Sequence, residues 1–361
     1  MSKHPYETLP SHCFWSRSIA RPRPAEVDPV VAGKFQIRRS DPVVTAGSCF
    51  AQHIARHLVV NRFNYFVTEA AHPFVERHAA DYGYGEFSAR YGNIYTSRQL
   101  LQLLQRAYGR FTPAEDVWER DDGRLVDPFR PRIQPNGFAS RAEFYADRQQ
   151  HFAAIRRAIQ GMKVFVFTLG LTEGWISLTD GAAFPLCPGV AGGVFDPARH
   201  AFVNLKVAEV IADLKSAIDL IRSYNPAARI ILTVSPVPLA ATMVDRSVLV
   251  STTYSKSVLR AAAQEIADSS DTIAYFPAYE IITGSYARGR YFADDLRSVT
   301  EAGVAHVMRL FMKHYAEPAE RVQHLPSQTR EEPPVAHEET MKQVVAVMCD
   351  EEALDPHAAA T

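Results

Sequence analysis

Between Asp41 and Leu58 a short apolar run ends on Gly47-Ser48-Cys49 and passes directly into helical periodicity. That order is a strand, a sharp turn and a helix, and it restricts the chain to folds in which sheet and helix alternate. Gly47 supplies the backbone freedom for the turn, Ser48 and Cys49 stand at the sheet's carboxyl edge, and the helix's first N–H groups point at whatever binds there. A cysteine at a helix N-terminus has its thiolate stabilised, and the thiolate is the form that attacks carbonyls. The same residues also suit a plainer role, with Ser48 as a helix cap and Cys49 as a small buried side chain.

Three further β-rich apolar runs follow, Lys163 to Gly170, Arg229 to Pro236 and Thr272 to Ala278. Each is nearly continuous in hydrophobicity, as suits strands covered on both faces. Helical periodicity fills the intervals: Val207, Ile211, Leu214, Ile218 and Ile221 form one stripe within Asn204–Tyr224, leaving Asp213, Lys215 and Arg222 for solvent. Similar patterns cover Ser97–Ala107, Ser140–Gln160, Tyr254–Ala267 and Thr300–Tyr315. Strand, helix, strand, helix in succession implies a parallel sheet with right-handed crossovers, whose site lies at the carboxyl ends of the strands.

Two stretches break the alternation. Residues from about 68 to 135 mix aromatics and turn residues, among them Tyr82, Tyr84, Tyr91, Tyr95 and Trp118, and read either as a cap over the site or as packed loops. From 317 to 361, prolines and glutamates make a flexible acidic tail, in which Met341–Met348 could form a short helix on a partner protein or on the domain. The division is therefore an N-terminal extension (1–34), one domain (35–316) and the tail.

Composition excludes several classes. The 39 basic and 40 acidic residues nearly cancel, so neither a nucleic-acid backbone nor an anionic membrane surface is the expected partner. Cys13, Cys49, Cys187 and Cys349 lie far apart without zinc-like spacing and read as free thiols of a reducing compartment. With no leader-like segment and no long apolar run, the expectation is a cytoplasmic, unanchored protein. No metal cluster, GxGxxG or GxxxxGK[ST] loop is readable, so no cofactor is expected.

Four strand ends converge at one edge: Ser48 and Cys49, then Thr168 to Trp175, then Ser235, then Asp294 to Ser298. Acyl transfer needs a nucleophile, a group that takes and returns its proton, and fixed donors for the developing oxyanion. Cys49 or Ser48 could attack, while the N–H groups at the helix start, Gly92 and Thr172 could donate. Thr172 and Glu173 read equally as the cap and first turn of a helix.

The stretch Gly47 to Ala51 resembles the signature of the GSCFA-domain family, and the resemblance continues through Gly92–Tyr95, Phe167–Glu173, Thr233–Leu239, Tyr254–Lys256 and Tyr275–Glu280, covering roughly residues 35 to 315. That family is similar to the GDSL/SGNH hydrolases. The resemblance implies a flavodoxin-like three-layer α/β/α sandwich with a parallel sheet, and ester hydrolysis or acyl transfer on a small or carbohydrate-like acyl ester. It places Cys49 at the nucleophile position and Ser48 at the preceding acid. Gly92 and Asn93 fall at the second-block glycine and its neighbour, and Gly170 with Thr172 at the oxyanion block, where a hydroxyl replaces an amide. Glu173, Trp175 and Ser235 join the substrate-binding set. The last block keeps Asp295 but offers Ser298 where an imidazole belongs, and a hydroxyl is no base near neutral pH. His53, one turn after Cys49, is a substitute partner for the thiolate, and His72 a second; each can equally be a structural histidine, and His306 sits inside the last helix pattern without an assigned role. A catalytically degenerate ligand-binding or scaffold protein on the same fold is the competing reading.

Overall fold

The computed structural model describes residues 4–317 and Leu354. Strands run in the order β1 (Val43–Gly47), β2 (Trp118–Glu119), β3 (Leu125–Val126), β4 (Val164–Leu169), β5 (Glu173–Ser177), β6 (Ala183–Phe184), β7 (His200–Asn204), β8 (Arg229–Val234) and β9 (Ile273–Phe276). The α-helices are α1 (Ala51–Val60), α2 (Ser97–Ala107), α3 (Arg141–Gly161), α4 (Val207–Tyr224), α5 (Val248–Asp268), α6 (Ala278–Thr283) and α7 (Glu301–Tyr315).

Strands β1, β4, β8 and β9 pair in that spatial order, all parallel, with Gly47 opposite Thr168 and Thr168 opposite Thr233. Every residue of β1 and β4 is buried, which accounts for their unbroken apolar runs. Alternate side chains serve two cores. Val44, Phe165, Phe167, Ile230 and Leu232 meet the apolar faces of α2, α3, α4 and α5, whereas Val43, Val164, Val166, Ile231 and Phe276 meet α1, α6 and α7. The result is the expected three-layer α/β/α sandwich. A single parallel bridge sets Tyr65 beside Val43 on the outer side of β1, the place where a flavodoxin-like order 2-1-3-4-5 carries a strand.

Several local expectations need correction. A three-stranded antiparallel sheet, β6-β5-β7, follows β4, so Thr172 and Glu173 lead into a strand and cap no helix. Asn204 closes β7, and the helix starts at Val207, which is 38% exposed. Asp213 does not face solvent. It is buried and accepts from Ser97 Oγ (3.1 Å) and Arg98 Nε (2.8 Å), tying α4 to α2, because the neighbouring layer helix supplies the cation that a single-helix projection cannot see.

The stretch from 68 to 135 is not one separate cap. Its α2 belongs to the helical layer, and the rest is pinned by a buried ion network. Arg90 and Arg130 both reach Asp147 (2.7 and 2.6 Å), and Arg130 also holds Asp127 (3.0 Å). Glu69 accepts from the Arg90 N–H (2.8 Å) and from His151 Nδ1 (2.7 Å). Aromatic clusters cover this network, with Trp118 and Phe184 packed beside Phe129 and Trp175.

The N-terminal extension clasps α7: Asp28 pairs with Lys313 (2.7 Å) and His314 (2.8 Å), and buried His306 bonds Val27 O and Tyr291. The tail beyond Glu317, Leu354 excepted, lies outside the described residues, as does the Met341–Met348 segment. Among the described residues, no helix is long and apolar enough to cross a membrane.

Candidate functional site

Three segments are stitched together at the carboxyl edge of the sheet. The end of β1 binds the loop 92–95 through Ile94 N–H to Gly47 O (2.8 Å). That loop binds the end of β4 through Gly170 and Leu171 N–H to Tyr95 O (2.9 and 3.2 Å), and Ser48 N–H closes the ring on Thr168 O (3.1 Å). The closeness demands glycine at position 47 and makes position 170 tight. Gly47 has φ +136°, and a Cβ there would lie 2.3 Å from Thr168 O; a Cβ on Gly170 would lie 3.1 Å from Ser48 Cβ and from Tyr95 O.

Ser48 and Cys49 are both buried. Ser48 Oγ has no hydrogen-bond partner among the described residues, and neither do Thr168 Oγ1 and Thr233 Oγ1, one pair before the end of β4 and β8. Cys49 is disulfide-bonded, whereas Cys13 and Cys187 are free. The reading of Cys49 as a free thiol is therefore corrected: wide separation along the chain says nothing about which sulfurs tertiary folding brings together. The first turn of α1 is less open than a bare helix start, since the N–H groups of Ala51, Gln52 and His53 donate to the carbonyls of Ser48, Cys49 and Phe50.

His53 lies buried one turn on, its ring edge-to-face against Phe50. Burial, with Arg56 and His57 nearby, pushes it down to about 3, so it is neutral at pH 7 and a weak base. His72 instead lies in an exposed loop, where it caps a short turn by accepting from Phe74 N–H. Thr172 has both donors engaged: its N–H bonds Ser255 Oγ (3.0 Å) and its hydroxyl bonds Asn204 Oδ1 (2.7 Å). Its hydroxyl proton is thus aimed at Asn204 and away from an oxyanion. Ser235 is buried at the end of β8, where its N–H bonds Leu169 O (2.8 Å) and its Oγ accepts from Val237 N–H. Asp295 and Ser298 form a closed turn: the Asp295 carboxylate accepts from the N–H groups of Arg297 and Ser298 and from Ser298 Oγ (2.5 Å), and these bonds hold it below the usual carboxylate range although burial opposes them.

Gly92 and Asn93 border a cavity of about 70 Å³ with Arg130 and Arg132. Glu173 and Trp175 line a larger one, of about 190 Å³. Burial raises the Glu173 carboxyl, and Thr242 Oγ1 donates to it at 2.8 Å. Among the described residues no group of three or more His, Cys, Asp and Glu side chains is placed to hold a metal ion.

One residue of this site escaped sequence reasoning. Lys256 is buried on α5 and donates from Nζ to Gly170 O at 2.6 Å, behind the glycine that touches Ser48. Its signal was available. Lys256 occupies the stripe that continues through Leu259, Ala263 and Ile266, and a lysine on a buried helix face needs a polar reason to be there.

Compared with curated proteins, the chain matches none. The model of the GSCFA family matches residues 42–311, from the start of β1 into α7, a span that includes every segment converging on Ser48, Cys49 and Gly170. A match over most of the chain, placed on the sheet and its carboxyl edge, shows that this protein belongs to the GSCFA family.

Proposed function

We propose that this protein hydrolyses or transfers acyl groups from small or carbohydrate-like esters, with Cys49 as the covalent carrier once its disulfide is reduced. The observation that carries the reading is the stitched edge of the parallel sheet, where Gly47 leaves no room for a side chain, Gly170 packs closely against Ser48, and Lys256 binds the Gly170 carbonyl. In α/β sheets of this kind ligands bind at that edge.

The chemistry follows in two steps. Reduction by a thiol frees the sulfur, and the thiolate attacks the ester carbonyl: a C–S bond forms while the carbonyl π pair moves onto oxygen. The oxyanion collapses, the C–O bond to the alcohol breaks, and the alkoxide takes a proton from solvent water, which the later attack of water or hydroxyl gives back. Water or an acceptor hydroxyl then attacks the thioester and returns the thiolate. Lys256 holds positive charge against the segment that faces the reacting carbon, which favours both the thiolate and the oxyanion. Cysteine tolerates a missing imidazole better than serine does, because its own pKa lies nearer neutrality. The reading places the protein in the cytoplasm, where disulfides are typically transient and catalytic or redox-sensing.

The test is ester turnover with and without dithiothreitol. Wild type gains activity on reduction, and Cys49→Ala, still folded, has none. Equal turnover by Cys49→Ala and wild type overturns the covalent scheme. A second reading, a ligand-binding protein without catalysis, is favoured by Ser298 closing on Asp295 and by Thr172 closing on Asn204. Under that reading no ester is turned over in either redox state, and Ser298→His gains esterase activity.

A further inference from the structure

Arg106, near the end of α2, is a buried cation that no carboxylate touches. It is 7% exposed, and its guanidinium carbon lies 3.6 Å from the centroid of the Phe129 ring and 5.2 Å from that of Phe152. Ring faces stabilise the charge across the guanidinium plane and leave the N–H groups at its edge unspent. Among the described residues, none of those N–H groups donates a hydrogen bond or enters an ion pair. The carboxylates nearby are committed elsewhere: Asp127 to Arg130 and Arg148 (3.0 and 3.5 Å), Asp147 to Arg130 and Arg90 (2.6 and 2.7 Å), and Asp116 to Arg148 (2.7 Å). Burial pushes Arg106 down to about 9 although Asp127 opposes it, so the group is still charged at pH 7. A charge held out of water calls for a counter-charge in contact with it.

There is space for one. Arg106 lines a cavity of about 20 Å³ with Gln99, Leu103 and Phe129, and no carboxylate lines it among the described residues. Gln99 adds donors, because its Oε1 already accepts from the N–H groups of Tyr95 and Thr96 (2.8 and 3.0 Å), which leaves the Nε2 hydrogens for the cavity. This cavity and the one of about 70 Å³ beside Gly92 meet along Tyr91, Asn93, Phe129 and Pro185, which line both. The outer cavity reaches the surface at Ala80 and Asp81. At roughly 15 Å³ for each water-sized group, the inner cavity holds about one such group and the two together about six, the size of a monocarboxylate of about two to four carbons.

We infer that the two cavities form a binding site for a short monocarboxylate, its head held by the edge N–H groups of Arg106 and the Gln99 amide and its chain lying along Phe129 and Tyr91. A carboxylate accepts two parallel bonds from the planar fork of a guanidinium. One cation calls for one negative charge. Around the outer cavity Asp81 and Glu86 balance Arg130 and Arg132, so a phosphate dianion would enter with its second charge uncompensated. The site goes beyond the acyl-transfer reading and stands whether or not an ester is turned over.

The experiment is calorimetric titration of sodium propionate into the full-length protein, with propionamide as the uncharged control and sodium phosphate as the competing anion. Wild type binds propionate at least tenfold more tightly than propionamide or phosphate. Arg106→Met keeps an unbranched side chain between the two rings and removes the charge, so the preference for propionate over propionamide disappears. Arg106→Lys keeps a positive charge against the same rings, which preserves the fold, but lacks the planar fork and binds propionate at least fivefold more weakly. Propionate bound by wild type no more tightly than propionamide, or bound equally by Arg106→Met, overturns the site and leaves Arg106 a packing residue. Propionate affinity of Arg106→Lys within twofold of wild type overturns the paired contact with the guanidinium. Phosphate bound as tightly as propionate overturns the assignment to a monocarboxylate.

Discussion

Replacing Gly47 by alanine attacks the site through the backbone alone, and its cost can be worked from the geometry. At φ +136° an L side chain is strained, at about 1–3 kcal/mol. The added methyl would also sit 2.3 Å from Thr168 O, 2.7 Å from Thr168 N and 2.8 Å from Thr168 Cβ. Two of those atoms are backbone of β4, so relief requires shifting the β1–β4 register. Overpacking of this kind costs about 1–3 kcal/mol more. The sum, about 2–6 kcal/mol, is a large part of the roughly 5–15 kcal/mol that holds a folded protein together. Gly92→Ala supplies the control. Gly92 also has positive φ, +66°, but a Cβ there meets nothing within 4 Å, so only strain of about 1–2 kcal/mol remains. Urea denaturation followed by tryptophan fluorescence should therefore place Gly47→Ala about 1–3 kcal/mol below Gly92→Ala, the overpacking term that the control lacks. Equal losses for the two variants would refute the argument that close approach of β4, rather than φ alone, demands glycine at position 47.

Burial pushes the Glu69 carboxyl up, but the His151 hydrogen bond, Arg130 and the Arg90 N–H together outweigh it and hold the group down to about 2, against an ordinary 4.5. A depressed carboxylate stabilises the fold above its unfolded value and loses that contribution as pH falls. Glu69→Gln should therefore cost about 3 kcal/mol at pH 7 and progressively less between pH 4.5 and 2, measured by denaturant midpoints across that range; a pH-independent difference would count against it. Asp127→Asn leaves the Arg130 and Arg148 guanidinium groups short of a buried counter-charge and should cost about 3–5 kcal/mol, seen as a lowered melting temperature. Lys256→Met keeps the volume and removes the charge behind Gly170, so the melting temperature should hold within a few degrees while ester turnover falls at least tenfold. A proportional loss of both would reduce Lys256 to a packing residue.

What the sequence determined by itself is the framework. Nearly continuous apolar runs at Val43–Ala46, Lys163–Leu169 and Arg229–Val234 suit strands shielded on both sides, and the helical stripes between them supply the shields. The glycine before Ser48 was legible for the same reason, since a strand that turns at once into a helix needs the freedom glycine has. The small sheet of β5, β6 and β7 was not legible, because short strands that pair across loops leave little periodic signal. Pairing across elements was decided only by the tertiary structure. Asp213 is buried because α2 brings Arg98 to it, Thr172 donates its hydroxyl to Asn204 on a neighbouring strand, Cys49 enters a disulfide, and Lys256 reaches Gly170 from a helix 86 residues away. Periodicity reports which face a residue occupies. Partners contributed by distant segments have no period and are fixed only when the layers close.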